Sequence, residues 1–276
     1  MIEPDSLRMR TRTPEPEVAL AGRFVAGSFT NSAGTRAYRL YVPSGAAGRA
    51  LPLLVMLHGC TQNAEDLAAG TRMNELAESG GFLVVYLEQS AKANGQRCLN
   101  WFKAEDQRRE RGEPSIIAGI TRQVAATQPV DTKRIYVAGM SAGGAMAVVM
   151  GATYPAQGKT APRRTLERWT SRAVPTIVFY GDRDGTVHPR NGEQVLHQWA
   201  GNSARATVRR GQASGGRAYT RSVYRDAGGR PVAERWIVHG AGHAWSGGSQ
   251  RGSYTAPHGP DASAEMVRFF LEHPRG

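Results

Sequence analysis

A chain of 276 residues with 40% hydrophobic content has the length to bury one sizeable core, which excludes a disordered or fibrous protein and requires no second folded unit. The formal charge of +12 arises from 35 Lys and Arg against 23 Asp and Glu, and only Lys92, Lys103, Lys133 and Lys159 among the cations are lysines. The arginines are scattered and carry no zinc spacing, recognition-helix pattern or aromatic-basic platform beside them, so the charge does not point to nucleic acid.

Residues 1–21 read as a flexible N-terminal arm, because Glu3, Pro4, Arg8, Arg10, Arg12, Pro14 and Pro16 follow one another without apolar periodicity. The arm lacks the apolar stretch of a secretory leader, and no later run is long enough to cross a bilayer. A soluble protein is expected, cytoplasmic by sequence or exported by a route the sequence does not display.

From Gly22 onward short apolar runs alternate with helical stretches, the pattern of a mostly parallel sheet covered by helices. Tyr38–Val42 alternates like a half-buried strand, and Pro52–Leu57 is a continuous apolar strand of the fully buried kind. The turn His58–Gln62 comes next, and then Ala64–Ser79 carries Leu67, Met73, Leu76 and Ala77 at helical spacing. Phe82–Leu87 is the next strand. Cys60 and Cys98 sit in no metal-ligand spacing; one disulfide or two separate buried thiols are both open. Ser115–Gln128 reads as a helix through Ile116, Ile117, Ile120 and Val124, and Arg134–Ala138 reads as a strand.

The turn at the end of that strand is chemically specific. Gly139, Met140, Ser141, Ala142, Gly143 and Gly144 lead into a helix-forming run, Ala145–Thr153. A sharp strand-to-helix turn strains its central residue and needs small neighbours, so Ser141 has the place of a nucleophile presented at a helix N-terminus. A serine hydroxyl needs a base, and the base an orienting acid, in the order Ser, Asp or Glu, His. The strand Thr176–Tyr180 runs into Gly181, Asp182, Arg183, Asp184 and Gly185. Of the two aspartates, Asp184 is assigned the acid role, since a glycine and then a core-returning residue come after it. Asp182 is expected to cap the loop or pair with Arg183. The strand Trp236–Val238 then leads to His239, Gly240, Ala241, Gly242 and His243, a flexible loop able to deliver an imidazole, with His243 as the base. The oxyanion formed during acyl transfer requires two backbone donors, expected from Ala142 and from Cys60 in the corner after Leu57. Ala262–His273 closes the chain as a helix that Pro274 stops.

The motifs LHGCTQ (Leu57–Gln62), CLNWF (Cys98–Phe102), GMSAGG (Gly139–Gly144), GDRDGTV (Gly181–Val187) and GHAWSGG (Gly242–Gly248), in this order, resemble the poly(3-hydroxybutyrate) depolymerase family of esterases. The resemblance spans roughly residues 22–274. It implies an α/β-hydrolase fold and hydrolysis of short-chain esters by Ser141, Asp184 and His243, without a cofactor or metal. It also implies a substrate rim made by Trp245, Asn100 and Trp101, and it allows an extracellular location. Leu99 stands where the family usually has tryptophan. No polymer-docking module accompanies these motifs, so small esters or soluble oligomers are expected rather than crystalline polyester.

One interval departs from the family. Between Tyr154 and Pro175, where members carry a further strand, the chain is polar and basic, so the sheet is expected to lack one strand after the nucleophile helix. Neighbouring strands are about 4.8 Å apart, so the acid-bearing and histidine-bearing strands must either shift together toward Ser141 or leave a non-catalytic ligand-binding relative.

Overall fold

The computed structural model describes residues 19–155, 174–200 and 205–274. Residues 1–18 of the expected arm lie outside them, and Leu20 packs against the buried cluster around Met56 and Tyr86. β1 (Arg23–Asn31) and β2 (Gly34–Val42) form a hairpin; β3 (Leu51–Leu57), β4 (Leu83–Glu88) and β5 (Val130–Gly139) complete a sheet ordered β1-β2-β4-β3-β5. β3 runs parallel to both β4 and β5, whereas β2 meets β4 antiparallel. Every residue of β3 is buried, as its unbroken apolar run requires. Pro52 has no N–H to give the ladder, and the β3–β5 register shifts across it.

The pleat divides β3 between two cores. Leu53, Val55 and Leu57 face a cluster containing Ile116 and Ile120 of α3 (Gly112–Thr127) and Met146 of α4 (Ala142–Thr153). Leu54 and Met56 face the other side, where α1 (Ala64–Thr71), α2 (Met73–Gly80) and α6 (Ala262–Leu271) supply Leu67, Met73 and Met266. The expected helix Ala64–Ser79 is thus two helices, divided at Arg72, whose φ of 52° is left-handed. Its guanidinium reaches the Gly247 carbonyl and Asp261, which gives the break a use.

A second sheet is ordered β6-β9-β8-β7, from β6 (Thr176–Gly181), β7 (Arg205–Gln212), β8 (Ala218–Arg225) and β9 (Pro231–Val238), with α5 (Arg190–Ala200) after β6. β6 and β9 are parallel; the two outer pairs are antiparallel. Parallel pairing runs through β4-β3-β5 and β6-β9, the strands that carry the site. Among the described residues β5 pairs with β3 alone and β6 with β9 alone. Most of the interval expected to lack a strand, residues 156–173, lies outside the described residues. α6 spans the two sheets through side chains: Phe270 stacks on Tyr136 of β5 at 5.1 Å, and Ile177 and Phe179 of β6 pack on the same cluster.

Glu234 of β9 ties β8, β9 and α6 together. Its carboxylate accepts from Arg221 Nη2 at 2.8 Å, Arg268 Nη2 at 2.8 Å and Trp236 Nε1 at 3.2 Å, and the residue is 1% exposed. Burial alone would raise its pKa, but Arg221 and Arg268 outweigh burial and hold it below the usual glutamate value. Such a carboxylate stabilises the fold above its unfolded pKa of about 4.3, and that contribution is lost as pH falls through the lower folded value. Glu234→Gln is expected to cost about 2 kcal/mol in urea unfolding at pH 7, below the usual loss for a buried pair because both arginines are partly solvated. The gap should narrow below about pH 4. Equal stabilities at pH 7 would remove Glu234 from this role.

Candidate active site

Where β5 gives way to α4, Ser141 adopts φ 55° and ψ −121°, a conformation that costs a non-glycine residue about 1–3 kcal/mol. Three glycines permit the turn. A Cβ on Gly143 would stand 2.0 Å from the Leu57 carbonyl oxygen, and one on Gly139 would stand 2.5 Å from the Gly143 backbone. A Cβ on Gly59 would come within 3.3 Å of Ser141 Cβ. Glycine here is the condition for laying the serine turn against the end of β3 and the corner beyond it.

That corner is built from both sides. Gly59 N–H donates to Gln62 Oε1 at 3.0 Å, and Thr61, itself left-handed at φ 65°, donates its N–H to the Gln96 carbonyl at 2.7 Å. His58 Nε2 accepts the Gln89 N–H at 3.0 Å, so its Nδ1 carries the proton and donates to the Gly59 carbonyl at 2.6 Å. Burial pushes the pKa of this imidazole down and favours that neutral form. Cys60 and Cys98 form a disulfide, which resolves the alternatives left open by their spacing. Among the described residues the backbone N–H groups of Cys60 and Ala142 have no acceptor.

The acid turn and the histidine loop meet at the ends of β6 and β9. Asp184 Oδ1 accepts the N–H groups of Thr186 and Val187, each at 2.8 Å, and Oδ2 lies 2.7 Å from His243 Nδ1. Burial would raise the Asp184 pKa, but the N–H groups of Val187 and Thr186 together with the imidazole lower it, so an ionised carboxylate faces His243. The His243 ring lies at 6.4 Å and a steep angle to Tyr254, whose hydroxyl is 3.1 Å from Thr61 Oγ1. Ser141 Oγ makes no hydrogen bond to His243. A continuous path of contacts, His243 to Tyr254 to Thr61 and so to the corner beside Ser141, links the two halves.

Of the two alternatives for Asp182, capping of loop backbone is the one seen: it accepts the Gly240 N–H at 2.7 Å and also binds His239 Nδ1 at 2.8 Å, because the parallel β6–β9 register sets those strand ends side by side. Two expectations need correction. Trp245 is core rather than rim, 7% exposed with its indole N–H donated to Ser263 Oγ at 2.9 Å. Asn100 is also buried, its backbone N–H and side-chain amide both donating to Glu113 at 2.7 and 2.8 Å. Trp101 is 41% exposed, edge to face with Phe102, and Leu99 is buried in the core beneath them.

Sequence reasoning missed Tyr254, Gln62 and Glu113. Gln62 was signalled by its place four residues before Asp66, to which it donates at 2.8 Å. Nothing in the glycine- and serine-rich stretch around Tyr254 marked an exposed aromatic beside the imidazole. Among the described residues no three His, Cys, Asp or Glu side chains cluster as metal ligands would, and no helix is long and apolar enough to cross a membrane.

A serine strained at a strand-to-helix turn, with aspartate and histidine turns at the next strand ends, defines an α/β-hydrolase fold. The acetyl xylan esterase from Aspergillus awamori shares it at TM-score 0.67 and 18% identity, over 90% of this chain and 100% of that one. Residues 36–161 match the model of the family described as esterase PHB depolymerase. Poly(3-hydroxyalkanoate) depolymerase C of Paucimonas lemoignei is 31% identical over 74% of this chain, which spans 57% of that relative's length. Feruloyl esterase B of Neurospora crassa is 27% identical over 74% of this chain and 81% of its own.

Proposed function

We propose that the chain is a serine esterase acting on short-chain carboxylic esters, of the 3-hydroxybutyrate oligomer type or related acyl esters. The observation that carries this reading is Ser141, held at positive φ beside the Gly59 corner, together with the backbone N–H groups of Cys60 and Ala142, which among the described residues lack an acceptor. Ser141 Oγ attacks the ester carbonyl as His243 Nε2 takes its proton, and the two N–H groups receive the developing oxyanion. The tetrahedral adduct collapses, the C–O bond to the alcohol breaks, and His243 returns the proton to the leaving oxygen. Water, deprotonated by the same imidazole, then attacks the acyl-enzyme and releases the carboxylic acid with Ser141 restored. The Cys60–Cys98 bridge closes a loop of 38 residues around the donor corner.

A second reading, a non-catalytic α/β-hydrolase-fold protein that binds an ester-like ligand, draws on the missing hydrogen bond between Ser141 and His243. That bond is commonly long in free enzymes and tightens with substrate bound. Turnover decides between the two. The purified chain is expected to release nitrophenol from p-nitrophenyl acetate and butyrate with saturation kinetics, and a fluorophosphonate should add its mass to the peptide bearing Ser141. No turnover above buffer, with no labelling, would favour the binding protein.

A further inference from the structure

Asp184 and His243 are not alone in joining the acid turn to the histidine loop. Two residues upstream on one side and four on the other stands a second carboxylate and imidazole: Asp182 Oδ2 accepts from His239 Nδ1 at 2.8 Å, and Asp182 Oδ1 accepts the Gly240 N–H at 2.7 Å. His239 Nε2 continues to Thr220 Oγ1 of β8 at 2.8 Å. Backbone bonds run alongside, from Asp182 N–H to the Val238 carbonyl at 3.3 Å and from Arg183 N–H to the Ala241 carbonyl at 3.0 Å. A Cβ on Gly181 would stand 2.1 Å from the Ala241 oxygen, so a glycine there lets the two turns close on each other.

The arrangement Asp182–His239–Thr220 copies the order of a catalytic relay without the setting of one. Thr220 lies inside β8, paired with Arg210 on one side and Ile237 on the other, so no free pair of backbone donors faces its hydroxyl. Its significance lies in what it fastens. The segment 239–248 contains glycine at 240, 242, 247 and 248, and Gly240 is left-handed at φ 68°. Such a stretch has much conformational freedom to lose. β6 pairs with β9 alone among the described residues, so the position of Asp184 relative to His243 depends on this one ladder and its extension past the strand ends.

We propose that Asp182 and His239 are positioning residues for the esterase reaction: their pair fixes the histidine loop against the acid turn and so sets the height of His243 above Asp184. This rests on the serine-esterase reading. Displacement of a reacting group by about 1 Å costs about 100-fold in rate. Asp182→Ala should therefore lower kcat for p-nitrophenyl butyrate by about 10- to 100-fold, leave KM within about twofold and lower Tm by only a few degrees. Asp182→Asn retains an oxygen for the Gly240 N–H and should recover part of the loss. Asp182→Ala combined with His239→Ala should be no worse than the more damaging single variant, since the two act as one unit. A kcat within twofold of wild type in Asp182→Ala would overturn the proposal. So would a fall in kcat that tracks the fall in Tm and is not recovered by Asp182→Asn. Ser141→Ala separates the two levels: if it stays active, the serine-esterase reading fails, whereas a dead Ser141→Ala beside a fully active Asp182→Ala sinks the positioning role alone.

Discussion

Ser141→Ala is expected to lower kcat for p-nitrophenyl esters by about 10⁴-fold or more while KM stays near the wild-type value. Oγ is the only heavy atom removed, and it forms a bond to substrate only as the reaction proceeds, so its loss falls on the transition state rather than on ground-state binding. The turn should survive. The bonds from Met140 N–H to the Leu57 carbonyl and from Gly143 N–H to the Met140 carbonyl, at 3.1 and 2.8 Å, are backbone bonds that alanine leaves in place. Residual hydrolysis above the uncatalysed rate is expected, because the donors at Cys60 and Ala142 still stabilise an oxyanion formed by attack of water. The check is kcat and KM on p-nitrophenyl acetate and butyrate with the folded fraction measured alongside. Hydrolysis within tenfold of wild type would mean that another group is the nucleophile.

The parts of this architecture that the sequence displays are those decided by local patterns. β3 and β4 are continuous apolar runs because they lie in the sheet interior, β6 because α6 and α5 pack on it, and the glycine pattern around Ser141 reflects close approaches to its own turn and to the end of β3. β7 escaped notice because it is an edge strand exposed along nearly all its length, so RATVRRGQ carries no buried face to advertise. β1 was missed for a related reason, most of its residues being exposed, while α5 buries Leu196 and Trp199 on a helical spacing that was there to be read. The pairing of Asp182 with His239, 57 residues apart, was not readable, because it arises from the β6–β9 register and not from either loop. Trp245 misled in the opposite way. Two residues along from His243, it begins the two-residue strand β10 (Trp245–Ser246), and its ring turns inward to Ser263 rather than out to the substrate. Adjacency in sequence to the histidine carried no information about the side on which the ring would fall.

Asp184→Asn tests the other half of the site and is expected to lower kcat by about 10⁴-fold with little change in fold or KM. Both oxygens of Asp184 are committed. Oδ1 accepts two backbone N–H groups, from Thr186 and Val187, which leaves Oδ2 as the acceptor for His243. An ionised carboxylate can only accept, so the imidazole proton resides on Nδ1 and the lone pair needed to deprotonate Ser141 is left on Nε2. In the variant the amide oxygen is expected to stay with the two backbone donors, because they fix its position, and the amide nitrogen then faces Nδ1. That nitrogen donates. The imidazole answers by carrying its proton on Nε2, and the base is lost although every heavy atom is nearly where it was. The same reasoning separates Asp184 from Asp182: an asparagine at 182 disturbs only the seating of the loop, while one at 184 reverses the tautomer of the reacting ring. Steady-state rates for the two asparagine variants, measured side by side on one ester, should differ by at least about 100-fold. Equal losses would mean that Asp184 serves only to seat the loop and that the tautomer of His243 is set elsewhere.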